Sequence, residues 1–285
     1  MRERGQAYPI AMVAGAIVSV QCGAALAFDL FDEIGPAGTV LLRVALAAVV
    51  LVALWRPAFR GWSAADRRDV LIFGVALAGM NLSFYEGLER VPLGIAVTLE
   101  FVGPLGVALV GSRSARDLLW VALAAGGILL LSPGLGDDLD LLGAGLCLLA
   151  GAFWAAYIVL AERVGSRFEG GDGLALAMVV GAVLLIPIGL ADGGSELFGA
   201  EILAAGLALA MLSSAIPYSL ELEALRHLPR GTFGVLMSLE PAVAAVVGFV
   251  ALSQDLAATE LVAIGLVVVA SAGALRSAAL TPRDA

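Results

Sequence analysis

Apolar residues gather in ten long runs along this chain, at 9–27, 36–54, 70–88, 91–111, 118–133, 141–162, 173–190, 201–222, 231–252 and 259–276, with short polar connections between them. A helix of roughly 20 residues spans the hydrocarbon layer of a bilayer, so each run predicts one membrane-crossing helix, the fifth being the shortest. Together they account for almost the whole chain and leave no room for a soluble catalytic domain. The expected class is an all-α integral membrane protein with ten transmembrane helices. The first run must be told apart from a secretory signal, because Arg2 and Arg4 precede it and Ala25-Leu26-Ala27 resembles a cleavage site. Pro9–Ala27 exceeds the usual signal core of about 7–15 residues and has a counterpart later in the chain, so it reads as a retained helix.

Composition agrees with that pattern. Hydrophobic residues make up 61% of the 285 positions and charged residues 14%, against about 45–50% and 25% in soluble domains. The excess has to face lipid. The placement of charge is more informative than the net value of −9. Arg2, Arg4, Arg56, Arg60, Arg67, Arg68, Arg113, Arg116, Arg163, Arg167, Arg226, Arg230, Arg276 and Arg283 fall on the termini and every second connection. The alternate connections hold Arg90 but many acids, among them Asp29, Asp32, Glu33, Asp137, Asp138, Asp140, Asp192, Glu196 and Asp255. Basic residues concentrate on the cytoplasmic side of membrane proteins. The asymmetry therefore predicts cytoplasmic N- and C-termini. Losing or adding one helix would scramble it. No basic face or motif for nucleic acid is present.

The chain also repeats itself. A shift of 137 positions lays Glu86 on Glu223, Leu88 on Leu225, Pro92 on Pro229, Gly94 on Gly231, Pro104 on Pro241 and Gly111 on Gly248. A shift of 136 lays Gly15-Ala16 on Gly151-Ala152. The halves, 1–136 and 137–285, hold five predicted helices each. Five is odd, so the second half is expected upside down relative to the first. Inverted repeats of this kind mark many secondary transporters, with the substrate site near the midplane between the halves.

The stretches that carry the repeat also resemble a known family. Val91-Pro92-Leu93-Gly94-Ile95-Ala96-Val97-Thr98-Leu99-Glu100-Phe101-Val102-Gly103-Pro104-Leu105 is similar to the fourth helix of bacterial threonine/homoserine exporters. Ile216-Pro217-Tyr218-Ser219-Leu220-Glu221 and Thr232-Phe233-Gly234-Val235-Leu236-Met237-Ser238-Leu239-Glu240-Pro241-Ala242 are similar to their eighth and ninth. These exporters belong to the EamA branch of the drug/metabolite transporter superfamily. The resemblance spans roughly residues 9–276 and is specific at those three helices. It implies a ten-helix inverted-repeat fold in a bacterial inner membrane and efflux of small amino acids driven by proton entry, leaving the particular substrate open; the alternative is a transporter of the same fold for another small metabolite, such as a sugar or purine, or for a drug.

A charge at the centre of a membrane helix costs about 2.5–3.5 kcal/mol on insertion scales, so it needs a partner or a function. Arg43, Glu100 and Glu240 are the clear cases. With a rise of about 1.5 Å per residue, Arg43 lies roughly 10 Å inside its run and the two glutamates roughly 13 Å inside theirs. One guanidinium and two carboxylates thus sit near one level. As a site for a zwitterion, Arg43 would clamp a carboxylate with its planar fork, one glutamate would face the ammonium and the other would carry a proton. The competing reading is an Arg43–Glu100 ion pair that only ties helices together.

Pro104 removes the hydrogen bond that would use the carbonyl of Glu100, and Pro241 does the same to Met237. Pro217 breaks the eighth helix similarly, just before Tyr218. Such freed carbonyls can bind a polar ligand or allow a gating kink; the alternative is a static kink. Asn81 and Tyr85 share a face of the third helix, Trp154 and Tyr157 lie three apart on the sixth, and Ser19 and Gln21 lie in the first. These are candidates for lining a cavity, with helix packing as the alternative. Glu86, Glu89, Glu221 and Glu223 read as solvated helix ends.

Cys22, Cys147 and His227 form no ligand cluster, so neither a metal site nor a disulfide framework is expected. No ATP-binding motif is present, so transport has to run on a gradient and no cofactor is implied. An intramembrane enzyme would need a nucleophile–base pair or metal ligands at one depth, and a passive channel would not need an inverted repeat with buried charges. The implied partners are a small metabolite and the bilayer; the oligomeric state stays open.

Overall fold

The computed structural model describes residues 2–57, 62–91, 93–112, 114–131, 140–240, 243 and 258–280. All regular structure among these residues is helical. The helices are α1 (Arg2–Trp55), α2 (Ala64–Leu88), α3 (Leu93–Glu100), α4 (Val102–Gly111), α5 (Ala115–Leu131), α6 (Leu141–Arg167), α7 (Asp172–Gly193), α8 (Ala200–Ala210), α9 (Ile216–His227), α10 (Arg230–Met237) and α11 (Ala258–Leu280). Five segments are long and apolar enough to cross a membrane: Leu30–Trp55, Ala64–Leu88, Leu141–Arg167, Asp172–Gly193 and Ala200–His227. Ala7–Gly23, Ile95–Gly111 and Leu261–Ala274 are shorter apolar helices.

The first connection differs from the expectation. Residues 28–34 are not a loop; the helix runs on until Gly35, whose φ of 69° and ψ of 169° break it. Pro36 then opens the second arm, where its missing N–H costs nothing. The next two N–H groups have no partner inside the helix. Asp192, near the end of α7, accepts both, from Ala37 at 2.9 Å and Gly38 at 3.3 Å, and the Thr39 hydroxyl donates to the Gly35 carbonyl at 2.8 Å. Other starts are capped locally. Ser63 and Asp66 form a reciprocal box at α2, and Asp140 accepts from Leu142 and Gly143 at α6.

The exterior, not the core, departs from a water-soluble domain. Val110, Leu141 and Leu129 stand exposed, while Arg43, Asn81, Ser213, Ser214 and Glu221 are buried. A large apolar exterior around a core that also holds charged and polar groups requires lipid as the outer solvent.

Small residues set the helix crossings, as expected where lipid removes the hydrophobic drive between helices. A Cβ on Gly74 would meet the Ala177 carbonyl, which brings α2 onto α7. Gly103 of α4 lies against the Gly151 backbone of α6, and Gly111 lies against Gly231 of α10.

Three of the arginine-bearing connections, 62–69, 163–170 and 226–230, meet at one end of the bundle. Arg226 donates to the carbonyls of Gly165 (2.8 Å), Phe168 (3.0 Å) and Gly170. Arg167 pairs with Asp69 at 2.7 Å, and Trp62 stacks edge-on against Phe168.

Candidate functional site

Proline organises the centre of the molecule. Pro217 has no N–H, so it cannot serve the Ser213 carbonyl four residues back. The helix does not break there, contrary to the expectation; it stays continuous from α8 to α9 by widening into a π-turn at Met211–Ala215. In that wider register Pro217 also fails the Leu212 carbonyl five residues back. The two arms of α1, before and after Gly35, supply the missing donors. The Ser19 hydroxyl of α1 donates to the Leu212 carbonyl at 2.6 Å, and Arg43 Nη2 donates to the Ser213 carbonyl at 2.5 Å.

Arg43 is the hub of this centre. Its Nε donates to Ser214 Oγ at 2.7 Å, Nη1 to the Tyr85 hydroxyl at 2.8 Å, and Nη2 to the Tyr218 hydroxyl at 3.1 Å as well as to Ser213. A guanidinium has five N–H donors, so one on Nη1 remains beyond these four bonds. The cation also stands 5.5 Å from the Tyr85 ring centroid and 6.0 Å from that of Tyr218. Asn81 joins the cluster through Tyr218: its Nδ2 lies 3.1 Å and its Oδ1 3.2 Å from that hydroxyl. Among the described residues every buried side-chain nitrogen or oxygen has a hydrogen-bond partner.

The structure thus gathers Arg43, Tyr85, Asn81 and Tyr218, which lie on three helices far apart in sequence. Sequence spacing foretold only that Asn81 and Tyr85 share a face. The Arg43–Glu100 ion pair is not formed, since the bonds of Arg43 go to tyrosine and serine oxygens and to a carbonyl. Glu100, the last residue of α3, and Glu240, beyond α10, are both part-exposed. Each still feels the charge of Arg43, and Glu100 also feels Glu240.

Glu221 needs correction too. It is no solvated helix end but 3% exposed, and its Oε2 accepts a hydrogen bond from the Tyr157 hydroxyl at 2.9 Å. The Tyr157 ring stands 5.5 Å from Tyr218, which places this pair beside the Arg43 cluster. Glu223, by contrast, pairs with Arg226 at 2.7 Å near the helix end. Glu86 is half-buried and Glu89 exposed.

Trp154 packs edge-on against Phe101, 5.0 Å between centroids. Phe101 is where α3 ends and α4 begins, yet its backbone stays helical and bonded to Val97 and Leu105, so the interruption near Pro104 is limited to the Glu100 carbonyl. Pro241 lies outside the described residues. Gln21 is half-buried, Cys22 exposed and Cys147 buried. Ser213, Ser214 and Ser19 joined the site through the π-turn. The signal that could have found the two serines is their position three and four residues before Pro217, where a carbonyl must seek an outside donor. Among the described residues no group of three or more His, Cys, Asp or Glu is placed to hold a metal ion.

A lipid-facing helical body with hydrogen-bonded polar groups and part-exposed carboxylates in its interior defines the class of multi-pass membrane transporters. The EamA-like transporter family model matches residues 141–276. The threonine/homoserine exporter RhtA of Escherichia coli strain K12 is 44% identical over 268 residues, covering 93% of this chain and 90% of the exporter. The exporter of the same name from Salmonella typhimurium strain LT2 matches equally well, at 44% over the same shares. The chain belongs to the EamA-like transporter family. A solved crystal structure shares the fold, with a TM-score of 0.79 at 18% identity, covering 96% of this chain and 98% of the other.

Proposed function

We propose that this protein is a secondary exporter of threonine, homoserine or closely similar amino acids, driven by proton entry across the bacterial inner membrane. The observation that carries this reading is the 44% identity, over 93% of the chain, to exporters named for those substrates. The buried cluster supports it. A zwitterionic substrate needs a cationic fork for its carboxylate and an anionic group for its ammonium. Arg43 offers its remaining Nη1 N–H, with the Tyr85 and Tyr218 hydroxyls alongside. Glu100 and Glu240, part-exposed and within the field of Arg43, face the ammonium. Asn81, Trp154 and Tyr157 line the path, and Pro104, Pro217 and Pro241 mark where helices yield. An interior carboxylate carries the proton.

The architecture proposed with it is ten membrane-spanning helices in two inverted halves, 1–136 and 137–285, with both termini cytoplasmic. The helix breaks support this: Leu93–Glu100 ends at Phe101 and Arg230–Met237 ends at Ser238, and each boundary is offset by the repeat distance. The family model also matches residues 141–276, all within the second half.

Purified protein in proteoliposomes tests the function. An imposed proton gradient is expected to drive labelled threonine or homoserine uphill, and overexpression to raise tolerance to toxic external threonine. Neither efflux nor tolerance changing for any amino acid tested would sink the substrate class. Reporter fusions at Arg167 and Ser195 are expected inside and outside respectively; both on one side would sink the topology.

A further inference from the structure

Glu221 stands apart from Glu100 and Glu240. Glu100 and Glu240 are part-exposed, whereas Glu221 is 3% exposed and held by Tyr157. The first two leave carboxylate surface available to a ligand. The third is closed to it but open to a proton.

Charge balance shows why a third carboxylate matters. Arg43 acts electrostatically on Glu100, Glu221 and Glu240, and Glu240 acts on both other glutamates. One guanidinium balances one carboxylate, and a zwitterion adds no net charge. Two negative charges would remain in the interior, a costly arrangement without partners, unless protons bind there.

We propose that Glu221, positioned by Tyr157, is the site that binds and releases the coupling proton, while Glu100 and Glu240 serve the substrate. This rests on the proton-driven reading above and names its proton site. The step is simple: the Glu221 carboxylate takes one proton and becomes the neutral acid, and no other bond is made or broken. A carboxylate only accepts hydrogen bonds whereas the acid also donates, so the bond from the Tyr157 hydroxyl is charge-assisted in one state and a weaker neutral bond in the other. Tyr157 touches Tyr218, which bonds to Arg43 and Asn81. Proton occupancy is thereby relayed to the substrate site. Around Glu221, α1 presents Arg43, α6 presents Tyr157, the segment after α10 presents Glu240, and α9 itself presents Tyr218. Helix α7, which also touches α9, carries its titratable groups, Asp172 and Asp192, at its two ends.

The test compares two rates in proteoliposomes holding the full chain, with labelled threonine and homoserine as probes. One is uphill accumulation on a pH gradient; the other is substrate exchange at equal pH, which moves no net proton. In Glu221→Gln the ratio of accumulation to exchange is expected to fall about tenfold or more, as for loss of a functional intramembrane ionisable group. In Glu100→Gln and Glu240→Gln both rates are expected to fall together. A Glu221→Gln protein that keeps the wild-type ratio overturns the proposal. If that variant does not insert stably, Tyr157→Phe decides. Removing a donor to the charged carboxylate favours its neutral form, so the pH midpoint of accumulation is expected to move upward, and an unmoved midpoint overturns the proposal. Wild-type protein that transports no amino acid in either assay overturns the exporter reading itself, a result distinct from an unchanged ratio in the mutant.

Discussion

Pro104 and Pro217 each take one hydrogen bond away from a membrane helix, and the two helices answer differently. At Pro104 the orphaned carbonyl is that of Glu100, and the neighbour that approaches is glycine. A Cβ on Gly151 would stand 2.6 Å from the Glu100 oxygen, so α6 comes in backbone on backbone, while the chain from α3 into α4 stays helical through Phe101 and skips only the bond that Pro104 cannot make. At Pro217 the orphaned carbonyls are those of Leu212 and Ser213, and the neighbours bring side-chain donors, Ser19 and Arg43. There the helix keeps its continuity through a π-turn. The neighbour packed against each proline differs accordingly: at Pro104 a glycine backbone lies against the orphaned carbonyl and the helix only skips one bond, whereas at Pro217 side-chain donors meet the orphaned carbonyls and the helix widens into a π-turn with a polar centre.

Arg43→Ala is the strongest way to break this comparison. It strips a partner from the Ser213 carbonyl, Ser214, Tyr85 and Tyr218, and each buried group left unpaired costs on the order of 1–3 kcal/mol. A large fall in melting temperature in detergent is expected together with loss of transport. Transport lost at an unchanged melting temperature would mean that Arg43 serves only the substrate and the turn needs no donor. Arg43→Lys keeps the charge but not the fork and is expected to recover only part of the stability. Adding Pro217→Ala to Arg43→Ala sharpens the point. The restored N–H gives the orphaned carbonyl a partner within its own helix, so a stabilising coupling of about 0.5 kcal/mol or more is expected in a double-mutant cycle.

On the glycine side, Gly151→Leu is expected to destabilise by about 1–3 kcal/mol through overpacking, because the Glu100 backbone leaves no room. Gly106→Ala, on the same helix as Gly103 but with nothing within 4 Å of an added Cβ, is the matched control and is expected to stay within about 0.5 kcal/mol of the original. Equal melting temperatures for the two variants would remove the close crossing from the account. The smallest effect is expected from Ser19→Ala, which leaves the Leu212 carbonyl without its donor. Hydrogen bonds between membrane helices average about 0.6 kcal/mol, and thermal unfolding of the pair of proteins side by side resolves a loss of that size.

The sequence by itself determined the all-helical membrane class, because run length and lipid-compatible composition are local properties that no packing arrangement alters. The family was legible in the residues around Glu100, Pro217 and Glu240 for a related reason: rare charges and prolines inside apolar runs survive only where something requires them. Tertiary structure decided the partners. Run boundaries placed a loop at 28–35, but Asp192, distant in sequence, caps the new helix start at Ala37 and lets the chain stay helical up to Gly35. Depth alone suggested that Arg43 would meet Glu100; rotation about the helix axes, which depth does not encode, turned it toward Tyr85, Ser214 and Tyr218 instead. Position near a helix end made Glu221 look solvated, and only the approach of α6, carrying Tyr157, buried it. Hydropathy reads distance along one helix, whereas hydrogen bonds between helices depend on which faces meet, and that is fixed only when the bundle closes.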